Sequence, residues 1–438
     1  MPTALRHYAA QCSPATQLPV ELWDIIFDMS RESLTLPSLA HSPLNVSQVC
    51  RRWRTTALLH SALWSTLAVV VTQRHESSVD ALLVLVHVWL QRAGRRLLDI
   101  SLAQLNSVHT ANSLGSLLQV VLGHSDRLHS LEINSPEASL LSLEMRQLSF
   151  PVLEHLKINT PWPTLATPDL VVALNDARCL KTFTARHTFF DVGKIGGLAY
   201  NELTELTLLP HSNAPGAIFW SSDDALDLLS SAAHLIKLRL AFNDTLPRRR
   251  SMAHAPALRS LSLKFRDSET PQRSIRVGAF FNLLDTPNLL HLSLRDHGAM
   301  MWPISTWPQT PFLSYLGATQ LRSLHLANLP LFETQVIECL QRVPNVVELV
   351  LEAPPNRGSQ RNVGDLLLRA LTNQPQPIAS ALRTVEFRHC GKRCTEEALI
   401  SMVDSRALEY LRVHRSALPS PELVQRVANW NTVVDVVY

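Results

Sequence analysis

The hexapeptide LRSLSL, residues 258–263, carries leucines at its first, fourth and sixth positions. The fourth and sixth leucines are two residues apart, so they share one face of a short β-strand. This spacing of apolar residues occurs twelve times, at intervals of 23 to 36 residues. The copies are LLDISL (97–102), LHSLEI (128–133), LEHLKI (153–158), LKTFTA (180–185), LTELTL (203–208), LIKLRL (235–240), LRSLSL (258–263), LLHLSL (289–294), LRSLHL (321–326), VVELVL (346–351), LRTVEF (382–387) and LEYLRV (408–413).

Segments between the copies often have helical spacing, as in SDDALDLLSSAAH (222–234) and TQVIECLQRVP (334–344). One strand and one helix cannot bury their own apolar faces, so the units must stack. The pattern resembles the leucine-rich repeat. The resemblance implies an α/β fold in which a parallel sheet lines the inside of a horseshoe solenoid and helices lie outside. Of six copies, only the one followed by Asn243 has the Asn or Cys that regular repeats place three residues later, so we expect irregular curvature.

A segment without this strand period, residues 17–66, precedes the repeats and is called the head. Its first part, QLPVELWDIIFDM (17–29), predicts a helix that begins near Pro19, because proline is tolerated in the first turn. The helix has two adjacent apolar stripes. The first stripe is Leu22, Ile25, Ile26 and Met29, and the second is Trp23 and Phe27.

The second part of the head, PLNVSQVCRRWRTTALLHSALW (43–64), predicts another helix with one apolar stripe. The stripe consists of Val46, Val49, Cys50, Trp53 and Ala57, and the arginines 51, 52 and 54 fall largely on the solvated side. A DNA-reading helix would need its basic residues on the face that enters the groove, so we reject that interpretation. A thiol on an apolar stripe is inert, so we expect Cys50 to be a buried core residue and not a nucleophile.

Together, LPVELWDIIFDM and PLNVSQVCRRWRTTALLHSALW resemble the F-box, a helical module with an LPxELxxxIF helix followed by a VCRRWRxxA…LW helix. The similarity is greatest to the form abundant in mushroom-forming fungi. The resemblance implies docking on the Skp-type adaptor of a cullin–RING ubiquitin ligase. The residues that match the family motif are Leu18, Pro19, Leu22, Ile25, Ile26, Phe27, Val46, Val49, Cys50, Trp53, Leu63 and Trp64. Among them we expect contact from Leu18, Pro19, Ile26 and Trp53, and core positions for Leu22 and Ile25.

The third and fifth positions of each hexapeptide are predicted to face the concave side of the solenoid, where neither row is dominated by one charge. A mixed polar surface suits a specific protein target. The candidate target-binding residues are Lys237, Arg239, His291, His325, Glu348, Glu386, Tyr410 and Arg412. At any single position, a merely solvated strand residue is an equal alternative.

Composition limits the other function classes. The 438 residues carry 40 basic and 37 acidic side chains, a net charge of +3, so strong attraction to nucleic acid or an anionic membrane is not expected. The longest apolar run, ALLVLVHVWL (81–90), is half of what a membrane span requires, and the N-terminus lacks a secretory signal. Six dispersed cysteines are typical of a reducing compartment. We therefore expect a cytoplasmic or nuclear protein.

Known catalytic and nucleotide-binding motifs are absent from the sequence. HCGKRC (389–394) offers three possible zinc ligands but no second cluster, so we interpret it as a turn. We predict no metal, no cofactor and no enzymatic activity.

The predicted organisation is a flexible N-terminus (1–16), the head (17–66), a linking amphipathic helix (67–94) and a solenoid of about 12 units with a C-terminal helical cap (95–438). The predicted function is substrate recognition for a Skp–cullin–F-box type ubiquitin ligase; the alternative is a non-degradative interaction scaffold.

Overall fold

The computed structural model describes sixteen segments of the chain, which form two compact units divided between residues 199 and 200. The described residues are 18–30, 37–72, 79–104, 111–135, 148–159, 177–186, 202–209, 220–243, 245–265, 272–296, 307–353, 363–372, 378–388, 394–414, 425–426 and 432–437. The predicted flexible N-terminus, 1–16, lies outside them. No helix in these segments is both long and apolar enough to span a membrane.

The head begins the first unit and, up to Trp64, contains helices and turns where it is described. It contains helix α1 (Val20–Met29), a 3₁₀ turn (Val46–Gln48), helix α2 (Arg51–Leu59) and a second 3₁₀ turn (Ser61–Trp64). The predicted continuous stripe from Val46 to Ala57 is wrong, because Cys50 is extended (φ −157°, ψ 172°) and α2 begins only after it. The Cys50 Sγ atom instead accepts a hydrogen bond from the Trp53 amide as the N-cap.

The rest of the first unit is a parallel sheet with two described helices. The elements are β1 (Thr66–Val71), α3 (Val79–Arg92), β2 (Leu98–Gln104), α4 (Ala111–Leu122), β3 (Leu128–Asn134), β4 (His155–Asn159) and β5 (Thr182–Arg186). The strands pair in chain order from β1 to β5. Helices α3 and α4 pack against each other.

The second unit repeats the same plan with more strands. Its elements are β6 (Glu205–Leu209), α5 (Ser222–Ser231), β7 (Lys237–Phe242), β8 (Ala253–His254), β9 (Ser260–Phe265), α6 (Arg273–Asn282), β10 (Leu284–Asp285), β11 (His291–Asp296), α7 (Gln309–Gly317), β12 (Ser323–Ala327), α8 (Glu333–Arg342), β13 (Glu348–Glu352), α9 (Asp365–Leu371), β14 (Thr384–Arg388), α10 (Glu396–Asp404), β15 (Tyr410–His414) and β16 (Val433–Val437). Strands β8 and β10 form a separate parallel pair. The others form one parallel sheet in chain order.

All twelve hexapeptides form strands, which confirms the predicted α/β class with parallel pairing. Their apolar positions are in register: Leu261, Leu292 and Leu324 lie side by side on β9, β11 and β12, and each is at most 1% exposed. Burial of each such leucine contributes about 1.5–3 kcal/mol relative to an exposed one. Consecutive helices α6 to α10 also pack on one another. This order of parallel strands and packed helices is consistent with a leucine-rich-repeat array.

The predicted boundary between head and array needs correction. Residues 67–71, assigned to a linking helix, belong to strand β1, and the described helix of this region is Val79–Arg92. Leu67 and Val69 pair with Ile100 and Leu102, so β1 is the first strand of the sheet. Leu67 and Val69 are both buried, which favours a strand over a continued helix at these residues.

The C-terminal helical cap stays a prediction. The last described element is the strand β16, which pairs in parallel with β15. Most residues of the predicted helical cap, including 415–424 and 427–431, lie outside the described segments.

Carboxylates at the helix starts connect neighbouring repeats in the second unit. Glu333 Oε2, in the first turn of α8, accepts a hydrogen bond from the Leu367 amide of α9 at 2.9 Å. Asp365 Oδ1, in the first turn of α9, accepts one from the Thr395 amide before α10 at 2.7 Å. Each carboxylate therefore satisfies an amide that the helix itself leaves without a partner. Gly364 permits this approach, because a Cβ atom there would lie 2.5 Å from Glu333 Oε1.

Candidate protein-binding surfaces

Three aromatic rings hold the two helices of the head together. The Trp53 ring of α2 contacts the rings of Trp23 and Phe27 on α1, with centroid distances of 4.8 Å and 5.4 Å. Trp23 and Phe27 are buried, and Trp53 is half-buried. The stripe that α1 buries is therefore the narrow aromatic one.

The wider stripe of α1 remains exposed as a consequence. Leu22, Ile25, Ile26 and Met29 are 43%, 55%, 40% and 82% exposed. The prediction that Leu22 and Ile25 form the core of the head is wrong, because the two tryptophans and Phe27 occupy that space. Four large apolar side chains at helical spacing on one face form an unusually apolar patch for a helix this short. This patch is called the head stripe.

The second half of the head divides between interior and surface. Val49 and Cys50 are exposed, which contradicts the predicted burial of Cys50. Val46 is buried. Leu63 and Trp64 are also buried: the indole N–H of Trp64 donates to the Ala57 carbonyl at 2.8 Å, and its ring contacts Trp89 of α3 at 4.8 Å. Trp64 thus joins the head to the array within the first unit.

Two polar contacts fix the position of α1 against α2. Arg52 Nη2 donates to the Leu18 carbonyl at 2.9 Å, which ties down the residues before α1 and leaves Pro19 exposed. His60, just after α2, lies between two carboxylates, 3.0 Å from Asp24 Oδ1 and 3.1 Å from Asp28 Oδ1. Both contacts are hydrogen bonds when both ring nitrogens carry protons. The head stripe is therefore presented by a helix that is anchored at its start and along its length.

The second candidate surface is the polar face of the sheet in the second unit. Lys237, His291, Glu348 and Tyr410 share the third-position row, and Arg239, His325, Glu386 and Arg412 share the fifth-position row. The register thus confirms the two predicted rows. They place these side chains on one face, opposite the buried leucines.

Within these rows the structure brings His325, Glu386 and Arg412 into one ionic cluster. Arg388 Nη2 lies 2.8 Å from Glu386 Oε2, and Arg412 Nε lies 3.5 Å from Glu386 Oε1. Arg412 Nε also lies 3.2 Å from Asp435 Oδ2. The other end of the cluster is centred on one glutamate.

The Glu352 carboxylate lies close to three side chains from different strands. Its Oε2 atom lies 2.9 Å from Arg295 Nη2, 3.4 Å from Arg388 Nη1 and 4.0 Å from His325 Nε2. The Arg295 side chain reaches Glu352 across the intervening strand, where Ala327 is small enough to leave room. Three arginines and three carboxylates thus alternate over strands β11 to β16, and this set with His325 is called the ionic cluster.

Burial and charge shift the protonation equilibria of the cluster. Burial, assisted by Arg295 and Arg388, lowers the pKa of His325 to about 4, so the imidazole is neutral at pH 7. The hydrogen bond from Arg388 lowers the pKa of Glu386, which stays ionised. The same bond raises the pKa of Arg388. The cluster therefore has fixed charges around one neutral imidazole at neutral pH.

The other predicted target-binding residues lie outside the cluster. Lys237 pairs with Glu205 at 3.0 Å, and Glu348 accepts a hydrogen bond from the Ser323 hydroxyl at 2.7 Å. His291 is exposed, and Arg239 and Tyr410 are half-exposed. These five residues lie on the same face of the sheet, but they do not form a single cluster in the described structure.

Sequence reasoning missed four of the six charged groups of the cluster. One is Asp435 on β16, and the other three, Arg295, Glu352 and Arg388, share one sequence position. Each directly follows the sixth position of its hexapeptide. A residue there is two places after the fifth position, so it points to the same face of the strand. Continuing the alternation by one step would have found all three.

No family model matches the chain, and no curated protein matches it. Among solved structures, the crystal structure of a TLR13–ssRNA13 complex is similar, with 17% sequence identity and a TM-score of 0.36. The match covers 74% of this chain and 36% of that chain, so it spans about a third of the length of the solved protein.

Proposed function

We propose that this chain is a cytoplasmic or nuclear substrate-recognition subunit of a Skp–cullin–F-box type ubiquitin ligase. In this proposal the head stripe docks on the Skp-type adaptor, and the polar face of the array binds a target protein. The chain itself performs no chemistry. It raises the effective concentration of a target lysine near the charged ubiquitin carrier.

The observation that carries the proposal is the head stripe. The motif residues Leu22, Ile25 and Ile26 are the ones that the aromatic cluster leaves uncovered. A helix that buries its aromatic side internally and exposes an aliphatic side is suited to pack in an apolar groove of a partner. The exposed Val49 adds a further apolar contact on the second half of the motif.

The proposal is tested with point variants in the stripe. Deletion of the whole head would uncover Trp89, which contacts Trp64, and would confound docking with misfolding. We expect Ile25→Asp to abolish capture of a purified Skp-type adaptor, because a charge would be buried in the interface. The matched control is Ile275→Asp, an exposed helical isoleucine in the second unit, which should leave capture unchanged. Equal capture by both variants would contradict the proposal.

The polar face supports the second half of the proposal. Its ionic cluster has balanced charges, so it favours a partner with polar groups of both signs over a polyanion such as nucleic acid. Substitution of the accessible Tyr410 and His291 by alanine should weaken capture of the target while adaptor binding is retained.

A non-degradative scaffold is the second candidate, since the ionic cluster could bind a partner without any ligase. The two candidates differ in what happens to the captured protein. The ligase proposal predicts ubiquitin transfer to it in a reconstituted assembly, and loss of that transfer with Ile25→Asp. Capture without transfer would favour the scaffold.

A further inference from the structure

Two histidines and a glutamate converge at the start of strands β3 and β4 in the first unit. One ligand atom from each of His129, Glu154 and His155 lies within 4.8 Å of the others. His129 Nε2 is 3.5 Å from Glu154 Oε2, and the two imidazole rings are 5.5 Å apart at an angle of 88°. Among the described residues, this is the one group of three His, Cys, Asp or Glu side chains that could hold a metal ion.

One of these distances matches a small tetrahedral cation. With zinc–ligand bonds of 2.0–2.2 Å, neighbouring ligand atoms of a tetrahedral site are about 3.4 Å apart. The separation between His129 Nε2 and Glu154 Oε2 already has this value, so one edge of the tetrahedron is preformed. The ligand atom of the half-exposed His155 lies within 4.8 Å of the other two and has to move closer when zinc binds.

Both imidazoles are oriented through a second set of contacts. His129 Nδ1 lies 2.9 Å from Asp99 Oδ1 on β2, which leaves Nε2 directed at Glu154. His155 Nδ1 lies 2.9 Å from the Thr182 hydroxyl on β5. A carboxylate on the far nitrogen of a histidine is the usual outer partner in zinc sites, because it fixes the tautomer and increases the basicity of the ligand.

The backbone supplies an independent indication. The pairing of β2 and β3 is shifted by one residue, since Leu98 pairs with Leu128 but Asp99 pairs with Ser130. His129 is the extra residue at this irregularity. Such bulges redirect a side chain and occur frequently beside functional sites.

We infer that His129, His155 and Glu154 form a binding site for a divalent zinc ion, with Asp99 as a positioning residue. A water molecule would take the fourth position of the tetrahedron. The site lies in the first unit and does not depend on the ligase proposal. Zinc bound there would cross-link the starts of β3 and β4.

Lys181 competes with the metal for Glu154. Its ammonium lies 2.6 Å from Glu154 Oε2, so it occupies the oxygen atom that would bind the metal. Half of the lysine side chain is exposed, so it can swing away when zinc binds. Replacement of Lys181 by a neutral residue should therefore strengthen zinc binding. If the Lys181–Glu154 pair had only a structural role, the same replacement would not strengthen zinc binding.

The test is titration of the untagged, metal-free full-length chain with Zn²⁺ by calorimetry, and with Co²⁺ by visible absorption. We expect one site that is lost in the double variant His129→Ala/His155→Ala. Asp99→Asn should weaken binding by about 10–100-fold. Lys181→Gln should tighten it. His254→Ala is the matched control, because His254 pairs with Asp285 at 2.6 Å in the second unit without a third ligand in the described residues.

One result would support the zinc site, and either of two others would overturn it. Tetrahedral Co²⁺ bands that disappear in the double variant but persist in His254→Ala support the site. Circular dichroism of each variant shows that the fold is retained. Equal Zn²⁺ affinity and stoichiometry in the native chain and in the double variant would overturn the inference. So would binding that Lys181→Gln weakens.

Discussion

The Trp53 ring of α2 packs edge-on against the Trp23 ring of α1, with centroids 4.8 Å apart and planes at 60°. This contact decides which side of α1 is interior. Because the aromatic side is covered from within, the aliphatic side of the same helix is left for a partner. The proposed docking function depends on this relationship.

The aromatic cluster should carry most of the stability of the head. Phe27 is 0% exposed, so Phe27→Ala should destabilise the head by about 3–5 kcal/mol through lost burial and a cavity. Ile25→Ala, on the exposed stripe, should change stability by less than about 0.5 kcal/mol. Hydrogen exchange of the α1 and α2 amides measures both. Similar protection losses in the two variants would contradict the assignment of the buried face.

The buried ion pair of the second unit should be far more sensitive than an exposed one. Arg273 Nη1 lies 3.1 Å from Asp296 Oδ2, and the carboxylate is completely buried. Asp296→Asn should cost about 3–5 kcal/mol, because it removes a buried negative charge that contacts the Arg273 guanidinium. The exposed pair of Arg383 and Glu409 provides the control, and Glu409→Gln should cost less than about 1 kcal/mol. Urea midpoints compare the two variants directly.

His325 should make the stability of the second unit depend on pH. Its folded pKa of about 4 lies below the ordinary value of 6.5, so between these values the unfolded chain binds more protons. Stability therefore falls as the pH is lowered from 6.5 towards 4, by up to about 3 kcal/mol from this group. The charged groups that surround it are Arg295, Arg388, Glu352 and Glu386.

The measurement is the difference in urea midpoint between about pH 7 and about pH 5. His325→Gln should reduce this difference, whereas His234→Gln, at an exposed position, should leave it unchanged. An unaltered pH dependence in His325→Gln would exclude a neutral buried imidazole.

The contact between Glu333 and α9 should act as a cap supplied by the neighbouring repeat. Glu333→Ala removes the acceptor of the Leu367 amide and should destabilise the start of α9 by about 1 kcal/mol. Glu397→Ala, an exposed first-turn glutamate of α10, is the control. Faster exchange of the Leu367 amide in the first variant alone is the expected result.

The positions of the strands were predictable because their cause is local. Two apolar residues two places apart define a strand face, and the neighbours of LRSLSL pair in the register that the pattern implies. Strand β1 was not predicted, although Trp64, Leu67 and Val69 have the same spacing. The reason is that Trp64 was assigned to the head, and Leu67 and Val69 to a linking helix.

The assignment of the head was less predictable from the same information. The sequence offered two apolar stripes on α1 and a continuous stripe from Val46 to Ala57. The extended backbone at Cys50 breaks the second stripe and turns Val49 and Cys50 towards solvent. A spacing rule assumes an unbroken helix, so it fails at a helix start that lies inside the pattern.

The sequence by itself determined the positions of twelve strands, the α/β class, the repeat and the two rows of polar residues, since each follows from the two-residue period of a strand. Only the tertiary structure decided which stripe of α1 is buried, which charges meet at Glu352 and that two histidines and Glu154 converge. These features join residues that are far apart in the chain, such as Arg295 and Glu352 or Asp99 and His129. Their distances depend on how strands stack, and a local spacing pattern contains no information about that.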